Sequence, residues 1–202
     1  MTQNKPLIET SKKLSWLLRH GAAEEGLNVD TAGWVPIDQV LGHLKLSKDE
    51  LLDVVENNTK NRLQIANTRI RACQGHSTET MPVTLDALEA SWKIHSGAGA
   101  LWHGTNFEAL EKIAEKGLLP VKRTHVHLAP TEDSLVGKRH NTPILLEVSS
   151  MLLKEKNINI YEAPNGVVLV RAVPKECIVS IYPVTKSAQK NRKLIEELFA
   201  KK

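Results

Sequence analysis

The chain has 202 residues, with 27 Lys and Arg against 23 Asp and Glu, a formal charge of +4 at pH 7 and 41% hydrophobic residues. This composition excludes a disordered chain and leaves room for one large or two small packed domains with a mild attraction to polyanions. Aromatics at 4% exclude a reader of stacked bases, and the distant cysteines, Cys73 and Cys177, exclude a disulfide framework or a thiolate zinc site.

Leu14, Leu17 and Leu18 recur at helical spacing and predict a first helix from about Thr10 to His20, stopped near Gly21. Asp30 to Gly33 reads as a turn, and Ile37, Val40, Leu41 and Leu44 mark a second helix. Ser47 and Glu50 form a capping box that opens a third, with Leu51, Leu52, Val54 and Val55. Arg62 to Ala66 and Arg69 to Ala72 are strand-like and meet at Asn67-Thr68. Three helices and a hairpin describe a winged helix, a module often used on nucleic acid. A boundary falls near Met81-Pro82, giving an expected division into residues 1–80 and 81–202.

Beyond it, Leu101-Trp102-His103 reads as a strand, and Asn106 caps a helix that ends at Gly117, with Phe107, Leu110, Ile113 and Ala114 inward. Strand-like runs follow at His125 to Ala129, Ile144 to Val148, Ile158 to Tyr161, Val167 to Val170 and Ile178 to Tyr182. A basic amphipathic helix is expected from Lys186 to Lys202, with Leu194, Ile195, Leu198 and Phe199 inward. Short strands with few helices place this half in the α+β class, on a curved sheet. No apolar run reaches membrane-spanning length, MTQNKPLIETSKK lacks the core of a signal peptide, and a cytoplasmic location is expected.

The chemistry-bearing residues fall in five clusters: Arg19-His20, Arg71 with Gln74-Gly75-His76-Ser77, His103-Gly104-Thr105, Arg123 with His125-Val126-His127, and Arg139-His140. Arginine offers a planar cationic fork that matches phosphate, and histidine moves a proton near neutral pH. Arg19 and His20 close a helix, where a cation is also favoured by the helix dipole alone. Arg69 and Arg71 share a strand face by period two. His103-Gly104-Thr105 stands where a strand gives way to a helix N-terminus, a natural anion donor. Arg139 and His140 are expected near the end of a helix. His125 and His127 form an HxH pair that can take zinc, with His103 or His140 as a third ligand. No Asp, Glu or Cys stands at ligand spacing nearby, so no metal is expected.

In order, Leu17-Leu18-Arg19-His20, Gly33-Trp34-Val35, Ile70-Arg71-Ala72 with Gln74-Gly75-His76-Ser77, Trp102-His103-Gly104-Thr105, Arg123 with His125-Val126-His127-Leu128, Val136-Gly137 with Arg139-His140, and Asn165-Gly166-Val167 with Leu169 resemble the motifs of the RNA 2′-phosphotransferase family. The resemblance implies an N-terminal winged helix for RNA and a C-terminal ADP-ribosyltransferase fold for NAD. It implies removal of an internal 2′-phosphate through an ADP-ribosylated phosphate, giving 2′-hydroxyl RNA, ADP-ribose 1″,2″-cyclic phosphate and nicotinamide. Arg19, His20, Arg71 and Arg139 correspond to the family's catalytic set. His103, Gly104, Thr105, Arg123, His125, His127 and Leu128 correspond to its NAD side. Cys73, Trp102 and Ala129 depart from the asparagine, tyrosine and serine common at those places. A monomer acting on RNA, with NAD consumed as co-substrate, is expected. The alternatives are an ADP-ribosyltransferase that modifies a terminal phosphate or another acceptor without the second step, and a non-catalytic RNA-binding regulator.

Overall fold

The computed structural model describes residues 5–138 and 141–200. The architecture is α+β, with small antiparallel sheets, and the chain divides into two compact units, Met1–Lys93 with Lys122–Thr124, and Ile94–Val121 with His125–Lys202. Among the described residues no helix is long and apolar enough to cross a membrane.

The first unit opens with α1 (Lys5–Trp16), which runs directly into a π-helical turn, Leu17–Gly21, where the amide of Ala22 donates to the carbonyl of Leu17 at 2.8 Å. The helix starts five residues before the expected Thr10 because Leu7 packs on the core, a tertiary contact that local pattern does not contain. Strand β1 (Val35–Pro36) leads into α2 (Ile37–Leu44), and α3 (Lys48–Glu56) carries the expected capping box. There Ser47 Oγ accepts from the Glu50 amide at 3.2 Å, and Glu50 Oε2 accepts from the Ser47 amide at 2.8 Å. The hairpin of β2 (Leu63–Ala66) and β3 (Arg69–Ala72) turns at Asn67, which takes φ 53°, and pairs Ala66 with Arg69. The sheet order is β1-β3-β2, so β3 is central, and Arg71 pairs with Gln64 of β2. Leu14, Leu17, Leu18, Val40, Leu51 and Ile70 form the core beneath it.

The first unit continues past the expected boundary at residue 80. Met81 is buried in its core, the Thr84 amide donates to Thr31 at 3.0 Å, and after α4 (Leu85–Ala90) Trp92 Nε1 donates to the Cys73 carbonyl at 3.0 Å. These non-local bonds bind residues 81–93 to what precedes them, where composition alone reads a linker.

In the second unit one sheet has the order β10-β7-β5, formed by β5 (Ala100–Thr105), β7 (Ile144–Ser149) and β10 (Ile178–Pro183). The other has the order β4-β8-β9-β6, formed by β4 (Lys93–Ile94), β6 (Val126–Leu128), β8 (Tyr161–Glu162) and β9 (Val168–Val170), with β8 and β9 joined through the Asn165-Gly166 turn. Leu101, Leu128, Leu146, Val148, Val168 and Val170 draw one core from both sheets, and Leu110 and Ile113 of α5 (Phe107–Lys116) and Leu153 of α6 (Ser150–Glu155) pack into it.

Several expectations are corrected here. Phe107, at the first position of α5, is exposed because the helix turns its Leu110–Ile113 face inward. Residues 158–160 are not in a strand, and 131–138 form turns and bends, not a helix. The C-terminal helix is two, α7 (Lys186–Lys190) and α8 (Arg192–Ala200), broken at Asn191. In α8 Ile195 is buried and Leu194, one residue round the helix, points to solvent.

Gly117 ends α5 at φ 75° and ψ −163°, and a Cβ there would run into the Val173 carbonyl. Gly26 has the same φ of 75° with open space around it. Gly26→Ala therefore isolates the backbone cost, about 1 kcal/mol. Gly117→Ala adds a backbone collision and should cost about 2 kcal/mol or more beyond that. Urea unfolding of both variants checks the difference, and equal losses would contradict it.

Candidate functional site

The π-helical turn sets the position of Arg19 and His20. Leu17 and Leu18 are committed to the core, and the two basic residues follow on the widened turn. The loop after β3 returns to meet them: the Ser77 amide donates to the Arg19 carbonyl at 2.9 Å, and Arg19 Nη2 donates to Gln74 Oε1 at 3.3 Å. Arg19 Nε is buried and meets no acceptor among the described residues. Burial, then the charges of Arg62 and Arg123, push the Arg19 pKa down to about 10, with only the Cys73 thiol acting against them. No carboxylate figures among these influences, so a guanidinium with an unused donor sits in a field that an anion would relieve.

His20 shares that field. Burial, then Arg19 and Arg123, hold its pKa below the ordinary histidine value, so the ring is neutral at pH 7. Arg71, on β3, is buried, and its Nε donates to Gln64 Oε1 at 3.0 Å, while Nη1 donates to Ser91 Oγ at 2.8 Å and to the Ala32 carbonyl at 3.2 Å. Its guanidinium lies 4.5 Å from the centre of the Trp34 ring, a cation–π contact. Nη2 is the end of this fork left without a hydrogen bond among the described residues. Burial lowers the Arg71 pKa as the largest influence. Arg69 also stands over Trp34, at 5.5 Å, but is paired with Asp30 at 2.9 Å.

Gln74, Gly75, His76 and Ser77 are all buried, and Gly75 takes φ 88°. His76 is fully enclosed, packed on Gly33 at φ 81°, and neither ring nitrogen has a hydrogen-bond partner among the described residues. Burial first, then the charges of Arg19, Arg71 and His20, push its pKa down to about 3. His20, Arg19, Arg71 and His76 are thus brought into one cluster.

Arg123, grouped by sequence with His125 to Leu128, stands in the first unit. It forms an antiparallel bridge with Ser77, and its charge acts on both Arg19 and His20. Arg62 went unnoticed in the sequence. Its carbonyl accepts from the Cys73 amide at 2.8 Å, which sets it across the hairpin from the Gln74 loop. The register of the Asn67 hairpin was the signal that could have found it.

The second unit carries a separate group. His103 Nδ1 is 3.0 Å from the His127 carbonyl, which makes Nδ1 the protonated nitrogen and leaves Nε2 as an acceptor. Thr142 leans on Gly104, where a Cβ would meet its side chain, and Thr142 Oγ1 donates to the Thr105 carbonyl at 2.8 Å. Thr105 is buried, and Asn106 Oδ1 then accepts from the Ala109 amide at 3.2 Å to open α5. His125 is buried edge-on to Tyr161, with ring centres 6.4 Å apart, and His127 is half-buried on β6. The Leu128 side chain lies in the core. Arg139 and His140 lie outside the described residues. Among the described residues no three His, Cys, Asp or Glu side chains gather at metal-ligating positions.

The model of the RNA 2'-phosphotransferase, Tpt1 / KptA family matches residues 5–172. A protein of Pseudomonas syringae pv. tomato named probable RNA 2'-phosphotransferase is 36% identical over 183 residues, covering 86% of this chain and 94% of its own. One of the same name from Thermococcus kodakarensis is 34% identical over 176 residues, covering 83% and 93%.

The depressed His76 pKa makes the fold sensitive to acid. The unfolded state takes up the proton near pH 6.5 and the folded state only near 3, so stability falls as pH drops through that window. The loss should be on the order of 1 kcal/mol per pH unit. Urea unfolding from pH 7 downward should show this slope in the wild type and lose it in His76→Gln. Parallel slopes in the two proteins would contradict it.

Proposed function

This chain belongs to the RNA 2'-phosphotransferase, Tpt1 / KptA family, and on that footing we propose that it is an NAD-dependent enzyme that removes an internal 2′-phosphate from RNA. The products are RNA with a free 2′-hydroxyl, ADP-ribose 1″,2″-cyclic phosphate and nicotinamide. In this reading α1, α2, α3 and the β2–β3 hairpin of the first unit serve as a winged helix for RNA, and the second unit as an ADP-ribosyltransferase fold for NAD. The observation that carries it is the buried, carboxylate-free Arg19 guanidinium with an unused Nε donor, which a phosphoryl oxygen satisfies.

The donor set on β5 and β6 fits a dinucleotide. His103 is oriented through Nδ1, so its Nε2 accepts from a ribose hydroxyl, and Thr105 stands just before the N-terminus of α5, whose amides favour phosphate. His103, Gly104 and Thr105 hold the NAD on this reading, with the His125–Leu128 segment beside them. When bound, NAD supplies an electrophilic ribose carbon and nicotinamide as the leaving group.

The side chains of the first cluster then have distinct tasks. Arg19 Nε and Arg71 Nη2 take non-bridging oxygens of the 2′-phosphate and fix its orientation. The same two groups offset the charge that builds on those oxygens as the RNA departs. His20 is neutral while only arginines surround it. A bound phosphate dianion reverses the local field, lets the ring take a proton, and so readies it to protonate the leaving RNA oxygen. Arg139 completes the set by family correspondence.

Incubation with NAD and a short RNA bearing one internal 2′-phosphate, with products identified by mass, should give 2′-hydroxyl RNA, the cyclic phosphate and nicotinamide. A stably modified RNA that keeps its phosphate would instead indicate a transferase lacking the second step. Arg19→Ala should lower phosphate removal by about 10²-fold or more. Arg71→Lys should lose a comparable factor, because an ammonium cannot keep the Gln64 and Ser91 contacts while still reaching the phosphate. In His20→Ala, nicotinamide release should outlast phosphate removal, and equal rates for both would remove His20 as the proton donor.

A further inference from the structure

The four tryptophans of the chain differ in what their rings meet. Trp92 is buried and donates to the Cys73 carbonyl, Trp34 lies against Arg69 and Arg71, and Trp102 leans on Tyr182 with ring centres 5.5 Å apart. Trp16 is 53% exposed, although it is the last residue of α1 and directly precedes the π-helical turn that carries Arg19 and His20. Such a turn brings residues five apart over one another, and the six-membered ring of Trp16 accordingly rests on the buried Gly21, where a Cβ would meet it. Residues four apart share a helix face, so Lys12, Trp16 and His20 line one side of α1 and its continuation. Charge singles out the same side. The last helix before the hairpin is the one a winged helix ordinarily lays into a nucleic-acid groove. Here that helix, α3, exposes Asp49, Glu50, Asp53 and Glu56 against Lys48, which disfavours a polyanion. On α1 it is Lys12 and Lys13, both exposed, that precede Trp16.

We propose that Trp16 is a platform on which the base of the 2′-phosphorylated nucleotide stacks, so that the junction nucleotide is held by its base as well as by its phosphate. This rests on the reading of Arg19, His20 and Arg71 as the 2′-phosphate site. The base joins the ribose at C1′, the carbon next to the one that bears the 2′ oxygen. With that oxygen at His20, the base of the same nucleotide reaches about one helical turn back, roughly 5 Å, and Trp16 stands one turn before His20. The turn fixes the ring from below through Gly21, so little freedom is lost when a base covers it. A single ring cannot read a series of bases, and stacking takes any base by its π face. The contact therefore adds affinity without sequence preference, which a chain with 4% aromatics can supply.

The competing explanation is that Trp16 only covers Gly21 and steadies the turn. The experiment measures equilibrium binding of the full chain to short fluorescent RNAs, with and without one internal 2′-phosphate. Each is made intact, without the base of the junction nucleotide, and without a base two nucleotides away. The wild type should lose about 10-fold in affinity when the junction base is removed, the value of one stacked base, and little when the distant base is removed. Trp16→Ala should bind the intact RNA about 10-fold more weakly, lose nothing further on removal of the junction base, and keep the affinity gained from the 2′-phosphate. Trp16→Phe, which retains a ring, should recover most of the loss. A wild type that treats the two abasic RNAs alike overturns the proposal, and so does a Trp16→Ala variant that keeps the junction-base effect. A variant that loses the phosphate effect together with the base effect also overturns it, because the ring then acts only through the turn. A base effect with no phosphate effect would refute the reading of the arginines as the 2′-phosphate site while leaving the platform standing, and a phosphate effect with no base effect would do the reverse.

Discussion

The structure of the first unit depends on holding a buried guanidinium in place without neutralising it. A carboxylate would be the ordinary partner for Arg19, and it would also occupy the place of an incoming anion. Gln74 supplies the same geometry with no charge, and leaves Nε unmet. Arg71 repeats the solution with Gln64, Ser91 and the Ala32 carbonyl. The carboxylate in the neighbourhood, Asp30, is paired with Arg69, which shares the Trp34 ring with Arg71 but stands in solvent. Neutral acceptors orient the inner arginines, and the acid is spent on the outer one. Stability is lost by this arrangement, since desolvated charges without counter-ions are costly. The apolar core of Leu14, Leu17, Leu18 and Ile70 beneath the turn offsets that cost.

The histidines register the same field to different degrees. His76 is enclosed, so the surrounding cations and the loss of water act together and keep it neutral across the physiological range. Its ring fills the space left by Gly33, and its part is to complete the packing behind the arginines. His20 is half-buried and therefore only partly suppressed. An anion arriving among Arg19, Arg71 and His20 moves the His20 proton equilibrium far more easily than that of a ring already closed off. One electrostatic environment thus acts on two histidines to different degrees, and depth of burial makes the distinction.

Features set by local chemistry were readable from the residues. The capping box at Ser47–Glu50, the Asn67-Thr68 hairpin, the Asn106 cap and the Asn165-Gly166 turn each rest on side chains within a few positions of one another. Features set by distant contacts were not. The π-helical turn arises where α1 must carry two leucines into the core and two basic residues onward, and no short motif announces it. The early start of α1, the break at Asn191 and the outward Leu194 likewise follow from packing. Burial of the Gln74–Ser77 loop was hidden for the same reason, because a polar tetrapeptide with a glycine reads as solvated surface until its tertiary bonds to Arg19 are known.

Arg123 shows that neighbours in sequence need not share a compact unit. The family resemblance groups Arg123 with His125 and His127 on the side of one ligand. The backbone divides them instead. Arg123 pairs with Ser77 in the first unit, whereas His127, two residues past His125, lies on β6 and gives its carbonyl to His103. A motif that reads as the signature of a single ligand is therefore shared between two compact units. For a charged residue the deciding quantity is the set of charges it acts upon. Arg123 acts on Arg19 and His20, which groups its charge with the arginines of the first unit and apart from the histidines that follow it in the chain.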